Sequence, residues 1–168
     1  MEKTFSAWQY AGFIFTAIAG TLLHFAYDWS GQSVLLVPFA PINESIWEHM
    51  KLLFFPMFIF ALIEYYFWGN KFDNFWCVKL IGMVLGLILI PALYYTYTGA
   101  FGIMVDFFNI SIFFLAAAIV YSAETRLFEN GYTCPISSRT AFIILCLIAL
   151  SFVVFTFFPP RIPLFESP

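Results

Sequence analysis

The sequence predicts an all-α fold, an integral membrane bundle of five transmembrane helices, and two observations support this prediction. Of the 168 residues, 62% are hydrophobic and 10% are charged, whereas about a quarter of the residues of a soluble domain are charged. The mean hydropathy is +0.90, and the apolar residues form five runs of roughly 20, the length that crosses a bilayer as a helix. We therefore expect a single transmembrane domain over residues 1–168 with no soluble appendage.

The predicted spans cover residues 8–27, 46–68, 76–95, 103–122 and 140–158. The first has the length of a true span and lacks the small-residue cleavage site that follows a signal peptide. One of its faces repeats every four residues, at Gly12, Thr16, Gly20 and His24. Small residues at this spacing let a neighbouring membrane helix approach closely. We therefore expect this face, and His24 with it, to point into the bundle.

The later segments carry structural signals as well. An apolar run from Val34 to Val37 is too short to cross the bilayer, and we interpret it as a re-entrant or surface-lying flap. The third span contains Gly82 and Gly86, a G-x-x-x-G pair suited to close packing. Pro91 and a group of interfacial tyrosines end this span. The fifth span is apolar throughout, and we expect it to be peripheral or to form a homodimer contact.

Orientation follows from the Lys and Arg residues, which are more frequent in cytoplasmic loops. With the N-terminus inside, five of them face the cytoplasm, namely Lys3, Lys71, Lys79, Arg126 and Arg139. Two face outside, Lys51 and Arg161. We therefore predict a multi-pass protein with a cytoplasmic N-terminus and its C-terminus outside. The polar groups that then share the outer membrane level are His24, Asp28, the stretch from Asn43 to Lys51, Asp106, Asn109 and the tyrosines that end the third span.

The stretch from Asn43 to Lys51 concentrates charge at the start of the second span. Ser45 followed by Glu48 is a capping box, which satisfies backbone N–H groups at a helix start. Acidic residues near that end are also favoured by the helix dipole. Lys51, one turn after Glu48, can pair with it or extend its ammonium group to the membrane interface. These structural roles leave His49 unexplained.

Two histidines at one membrane depth, with carboxylates nearby, suit a site for zinc or another divalent metal. The candidate ligands are His24, His49, Asp106 and Asp28. The structural alternative is that each histidine is an interhelical hydrogen-bond partner. The chain has no H-E-x-x-H or H-x-x-E-H motif, so the metal hypothesis rests on the expected co-location of these side chains.

Three classes of function are consistent with this site, and we rank the first highest. In the first, a metal-activated water hydrolyses a lipid-like substrate that enters from the bilayer; the candidate catalytic residues are Glu48, as general base, with Lys51, Glu44 and Tyr94. In the second, the histidines ligate a haem or border a quinone site in a redox subunit. In the third, the polar cluster is a latch, or a route for protons or solutes, in a transport or accessory protein.

The net charge and the cysteine content restrict the possible partners and covalent links of the chain. The net charge of −3 is spread thinly along the chain, which argues against a nucleic-acid partner. The expected partners are the lipid bilayer, a lipid-like substrate and a second copy of the chain. The three cysteines, Cys77, Cys134 and Cys146, show no paired spacing such as C-x-x-C. We therefore predict neither a disulfide nor a thiolate metal site.

The run Asn43 to Lys51, written N-E-S-x-W-E-H-x-K, also carries a family resemblance. Together with His24-x-x-Tyr27-x-Trp29 and the proline-rich ending from Phe157 to Phe165, it resembles an uncharacterised family of small bacterial polytopic membrane proteins. The likeness extends over nearly the whole chain. It implies bacterial origin and a place in the plasma membrane, and it transfers no catalytic residues.

Overall fold

The fold is a bundle of five long helices. The structure, a computed structural model, describes residues 2–167, except for the side chains of residues 2–5 and of Asp106. The long helices are α1 (Glu2–Trp29), α2 (Ile46–Phe67), α3 (Phe75–Phe101), α4 (Asp106–Glu129) and α5 (Ser138–Phe157). The described residues contain no β-strand, and all five helices are long and apolar enough to cross a membrane. The predicted all-α class and the number of helices are therefore confirmed.

Four of the helices form a closed ring, and the fifth lies outside it. Helix α1 contacts α2 and α4, and α3 contacts the same two neighbours, while α5 packs against α3 and α2. Helix α2 is the most enclosed, since 67% of its apolar segment is buried against 17% for α1. Trp47 of α2 and Phe152 of α5 join the outer helix to the ring, with ring centroids 4.6 Å apart. The apolar surface of α2 is thus mostly covered by protein.

Glycines allow the ring helices to approach closely, as the small-residue spacing predicts. A Cβ atom on Gly20 would lie 2.6 Å from the Leu52 carbonyl oxygen, and one on Gly86 would lie 2.5 Å from a methyl group of Leu53. Neither distance leaves room for a side chain. Thr16, on the same face of α1 as Gly20, is fully buried. The stripe on α1 therefore faces the bundle interior, which brings His24 toward α2.

Two helix ends differ from the predicted spans. Helix α3 continues for ten residues beyond Pro91 and ends at Phe101, because neighbouring helices in a membrane bundle can compensate for the hydrogen bond that a proline removes. The stop is Gly102, which adopts a left-handed conformation with φ of 64° and donates its N–H to the Thr98 carbonyl at 2.8 Å. Helix α4 continues to Glu129, seven residues past the predicted end of its span.

The prediction that the chain has no disulfide is wrong. Cys77, in the first turn of α3, is bonded to Cys134 in the connection between α4 and α5. The two Cα atoms are 6.3 Å apart although 57 positions separate the residues. Spacing rules detect cysteines that are close in sequence, whereas this pair is brought together by the packing of α3 beside α4. Cys146 remains free and exposed.

Candidate functional site

Two helix ends and a turn bring three potential metal ligands together. His24 lies near the end of α1, His49 in the first turn of α2, and Glu44 in the turn that precedes α2. One ligand atom from each residue lies within 4.8 Å of the other two. The imidazole rings of the two histidines have centroids 5.4 Å apart. We call these three residues the His–Glu–His cluster.

The start of α2 fixes the orientation of His49. Ser45 is the N-cap, and its hydroxyl accepts the Glu48 N–H at 3.4 Å. The Ser45 carbonyl lies 2.9 Å from Nδ1 of His49. A carbonyl oxygen only accepts hydrogen bonds, so Nδ1 must carry a hydrogen. Nε2 of His49 therefore points away from the backbone, toward Glu44.

The contact between His49 and the largely exposed Glu44 is favourable only with a proton or a metal ion between the two atoms. Nε2 of His49 lies 3.3 Å from Oε2 of Glu44. In the neutral ring, with the hydrogen on Nδ1, both of these atoms are acceptors and repel each other. The contact is favourable when a second proton occupies Nε2 or when a cation binds both atoms. The first case is an ordinary ion pair, and the second is a metal site.

The second histidine has a free ligand atom. Nδ1 of His24 is buried and has no hydrogen-bond partner among the described residues. An unsatisfied polar atom of this kind costs about 1–3 kcal/mol. Two ligands bound to a tetrahedral zinc ion are about 3.3 Å apart, since each bond is about 2.0–2.1 Å long. The His49–Glu44 distance matches this separation, and a ligand atom of His24 lies within 4.8 Å of both partners.

The cluster opens onto a cavity of about 590 Å³. Side chains from α1, α2, α3 and α4 line it, and most of them are apolar, including Leu52, Ile90, Ile112 and Phe113. Tyr94 and Asn109 are polar members of the lining that come from α3 and α4. A volume of this size and a mainly apolar wall with a few polar groups are typical of small-molecule sites.

Glu48 and Lys51 belong to a separate, buried network. Nζ of Lys51 lies 2.6 Å from Oε2 of Glu48, and the two residues are 0% and 2% exposed. Lys51 also donates to the Val37 carbonyl at 3.1 Å and to the Thr156 hydroxyl at 3.0 Å. Glu48 accepts the Ile42 N–H at 3.0 Å. The pairing expected from their spacing is confirmed, and the network joins α2 to α5 and to the connection that precedes α2.

The other predicted site residues have different positions. Asp28 is exposed, one turn beyond His24 on α1, and is not part of the His–Glu–His cluster. The Tyr94 side chain lines the cavity and its hydroxyl donates to Sδ of Met104 at 2.9 Å. Asp106 begins α4, but its side chain lies outside the described residues. The structure thus brings together His24, His49 and Glu44.

Sequence reasoning missed a second polar cluster at the opposite end of the bundle. Glu64 of α2, Lys79 of α3 and Glu124 of α4 are all buried and joined by ion pairs. The signal that pointed to them was the occurrence of charged residues inside long apolar runs, which is uncommon in membrane helices without a function. Their separation along the chain concealed that the three side chains meet.

Among the comparisons with known proteins, the one with protein families finds a match. The model of a family described as a family of unknown function (DUF6512) covers residues 1–168. No curated protein and no solved structure matches the chain at a significant level.

Proposed function

The chain belongs to DUF6512, a family of unknown function, and we propose that it is a multi-pass membrane protein that binds a divalent metal at the His–Glu–His cluster. Zinc is the first candidate for this metal. The proposed reaction is the hydrolysis of a lipid-like substrate. The observation that carries the proposal is the His49–Glu44 contact of 3.3 Å, which a metal ion bound by both side chains would make favourable. The unpartnered Nδ1 of His24 supplies a third ligand atom.

The surroundings of His49 favour metal binding over a simple proton. Metal-bound histidines commonly donate their other N–H to a backbone carbonyl, which fixes the ring and its tautomer. His49 makes this bond with Ser45. A second histidine 5.4 Å away, measured between ring centroids, adds nothing to a protonated His49–Glu44 ion pair, whereas it is a natural further ligand for a metal.

The cavity supports the choice of an apolar substrate. Its lining is mostly aliphatic and aromatic, and the ligand set lies on one wall. A catalytic zinc keeps one position open and lowers the pKa of the water bound there. A lipid-like ester or amide held in the cavity would then be cleaved by water, with the new C–O bond replacing the bond to the leaving group.

The remaining predicted residues take definite places in this proposal. Tyr94 lies on the cavity wall and supplies a hydroxyl that can hydrogen-bond to the substrate carbonyl. Asp28 and Asp106 are the candidates for an additional carboxylate ligand, since each belongs to a helix end at this level of the bundle. Glu48 and Lys51 hold α2 in place through their own network. We therefore rank the structural role of Glu48 above its role as general base.

Elemental analysis of the detergent-purified protein tests the metal site. We expect near-stoichiometric zinc in the wild-type chain and a loss of most of it in His49→Ala. Glu129→Gln is a matched control because Glu129 is exposed at the far end of α4, and it should retain the metal. Absence of metal from the wild-type protein, or equal zinc in His49→Ala, would overturn the metal site.

A separate assay tests the reaction. A fluorogenic acyl ester that partitions into the detergent micelle should be cleaved by the zinc-loaded protein, and cleavage should stop on addition of a chelator and return with zinc. Zinc binding without cleavage of acyl esters or amides would refute the hydrolase and retain the metal site. Stoichiometric iron with a visible absorption band would instead favour the redox function.

A further inference from the structure

Three membrane helices contribute one charged side chain each to a second buried site. Glu64 and Glu124 are 0% exposed and Lys79 is 1% exposed. Nζ of Lys79 forms ion pairs with Oε2 of Glu64 and, at 2.6 Å, with Oε2 of Glu124. The site lies where α2 ends and α3 begins. It is far from the His–Glu–His cluster, which lies at the other end of α2.

The charges of this triad do not balance. Two carboxylates face one ammonium group, and the ion pairs of the described residues give neither carboxylate a second cation. With both acids ionised, the interior of the bundle would hold an uncompensated negative charge. Such a charge is strongly disfavoured away from water, and a buried group responds by taking up a proton. One proton shared by the two carboxylates would restore the balance.

The groups around the triad can hydrogen-bond to a carboxyl group in both its ionised and its protonated form. From α1, Nε2 of Gln9 donates to Oε1 of Glu64 at 3.0 Å. Gln9 is 2% exposed and its Oε1 has no hydrogen-bond partner among the described residues. An amide presents a donor and an acceptor on one plane. Gln9 can therefore donate to an ionised Glu64 or, after rotating by half a turn, accept from a protonated one.

The remaining neighbours leave one carboxylate oxygen open. Oε1 of Glu124 is buried and has no hydrogen-bond partner among the described residues. A Cβ atom on Gly82 would lie 2.2 Å from this oxygen, so only glycine leaves space for it. Tyr121, the other titratable group facing the triad from α4, is engaged with the Thr16 hydroxyl at 2.8 Å. Glu124 and Gln9 thus each carry a buried oxygen without a hydrogen-bond partner among the described residues.

A cleft between α1 and α4 leads toward the triad. It has a volume of about 290 Å³, and its lining includes Gln9 and Tyr121 together with the hydroxyl-bearing residues Ser6, Ser122 and Thr125. Since Gln9 also contacts Glu64, the amide separates the cleft from the triad. Tyr10, Phe13 and Ala118 supply the apolar part of the lining, so water that carries protons to the amide would follow the hydroxyl groups.

We infer that Glu64 and Glu124 share one exchangeable proton, which is balanced by Lys79 and exchanges with water through the cleft past Gln9. The ligand of this site is a proton that comes from bulk water and returns to it. Intramembrane acids with such access are characteristic of proton relays. The inference does not depend on the metal site.

Infrared spectroscopy of the full-length protein in lipid nanodiscs tests the inference. At neutral pH we expect a C=O stretching band of one buried carboxylic acid, and we expect it to shift when water is replaced by D2O. Glu124→Gln and Glu64→Gln should each abolish the band, because the remaining carboxylate is then matched by Lys79. Lys79→Met should roughly double it, because both acids must then be neutral. Retained helical content by circular dichroism establishes that each variant is folded.

The control is Glu129→Gln, which removes an exposed carboxylate from the same helix as Glu124 and should leave the band unchanged. Absence of the band from the wild-type protein would show that both acids are ionised and overturn the inference. A band that survives in both glutamine variants would place the proton elsewhere. A band that does not shift in D2O would refute exchange.

Discussion

Nε2 of His49 lies 3.3 Å from Oε2 of Glu44, while Nδ1 of the same ring is held at 2.9 Å by the Ser45 carbonyl. The backbone therefore fixes which nitrogen of His49 faces the carboxylate. A neutral ring in this orientation cannot donate to Glu44. The contact is favourable when a proton lies between the two side chains or when both side chains bind a metal ion.

Zinc should stabilise the fold if the metal site exists. A ligand that binds only the folded state at 100 times its dissociation constant raises the free energy of unfolding by about 2.7 kcal/mol. Thermal unfolding in detergent with and without zinc measures this gain. We expect it in the wild-type protein, a much smaller gain in Glu44→Gln, and none in His24→Ala. An equal gain in all three proteins would place the zinc elsewhere.

Acidification should release the metal. Histidine and carboxylate groups bind zinc only when deprotonated, so protons compete with the metal. As the pH falls, the zinc retained by His24, Glu44 and His49 should decrease, and the zinc-dependent part of the stability should be lost with it. The measurement is zinc content after dialysis at a series of pH values. Retention that is constant down to acid pH would contradict the assigned ligands.

The Glu48–Lys51 network should matter for stability. Lys51→Met leaves the buried Glu48 carboxylate without its cation, and breaking such a pair by removing one partner costs about 3–5 kcal/mol. Lys71→Met removes an exposed lysine and should change the free energy of unfolding little. Denaturant or thermal unfolding compares the two variants.

The same network also separates two roles for Glu48. If Glu48 is structural, Glu48→Gln should lower stability while zinc binding and residual ester cleavage per folded molecule remain. If cleavage disappears and stability does not change, Glu48 is the general base that its place in the charged stretch predicts.

Gly82 should tolerate no side chain. The Cβ of an alanine would lie 2.2 Å from Oε1 of Glu124, and overpacking of this kind costs about 1–3 kcal/mol. Gly99→Ala is the matched control on the same helix, because nothing lies within 4 Å of its Cβ position. We expect a clear drop in melting temperature for Gly82→Ala alone. Equal melting temperatures would mean that the Glu124 side chain moves aside without penalty.

Counting the reactive thiols before and after reduction tests the disulfide directly. Without reductant, only Cys146 should react with a maleimide in the denatured chain, and after reduction all three cysteines should react. Removing the link by Cys77→Ser should lower stability by about 2–4 kcal/mol. Three reactive thiols before reduction would show that the link does not form.

Periodic features of the fold were predictable from the sequence, and features that depend on contacts between distant segments were not. Five apolar runs gave the five helices, and the four-residue repeat on α1 gave the face that carries His24 inward. The i, i+3 spacing gave the Glu48–Lys51 pair. Each of these signals lies within one helix or one turn, where 3.6 residues per turn relate sequence directly to position.

No periodic signal predicted the pairing of Glu44 with His49, because Glu44 lies in a turn whose shape depends on Asn43 and Ser45. The triad of Glu64, Lys79 and Glu124 comes from three helices, and its members are related only by packing. The same holds for Cys77 and Cys134. Helix α3 passes Pro91 because its neighbours support it, which the propensity of the residue itself does not reveal.

The disulfide between Cys77 and Cys134 has a consequence for the side of the membrane on which the cavity opens. Disulfides persist in oxidising surroundings and are reduced in most cytosols. This link lies at the end of the bundle where α1 begins, the end that the count of basic residues assigns to the cytoplasm. Lys79 does not belong in that count, because it is neutralised within the buried triad. If the link forms in the cell, the cavity beside His24 and His49 opens toward the inner leaflet, and the proposed metal and lipid-like substrate would enter it from the cytosolic side.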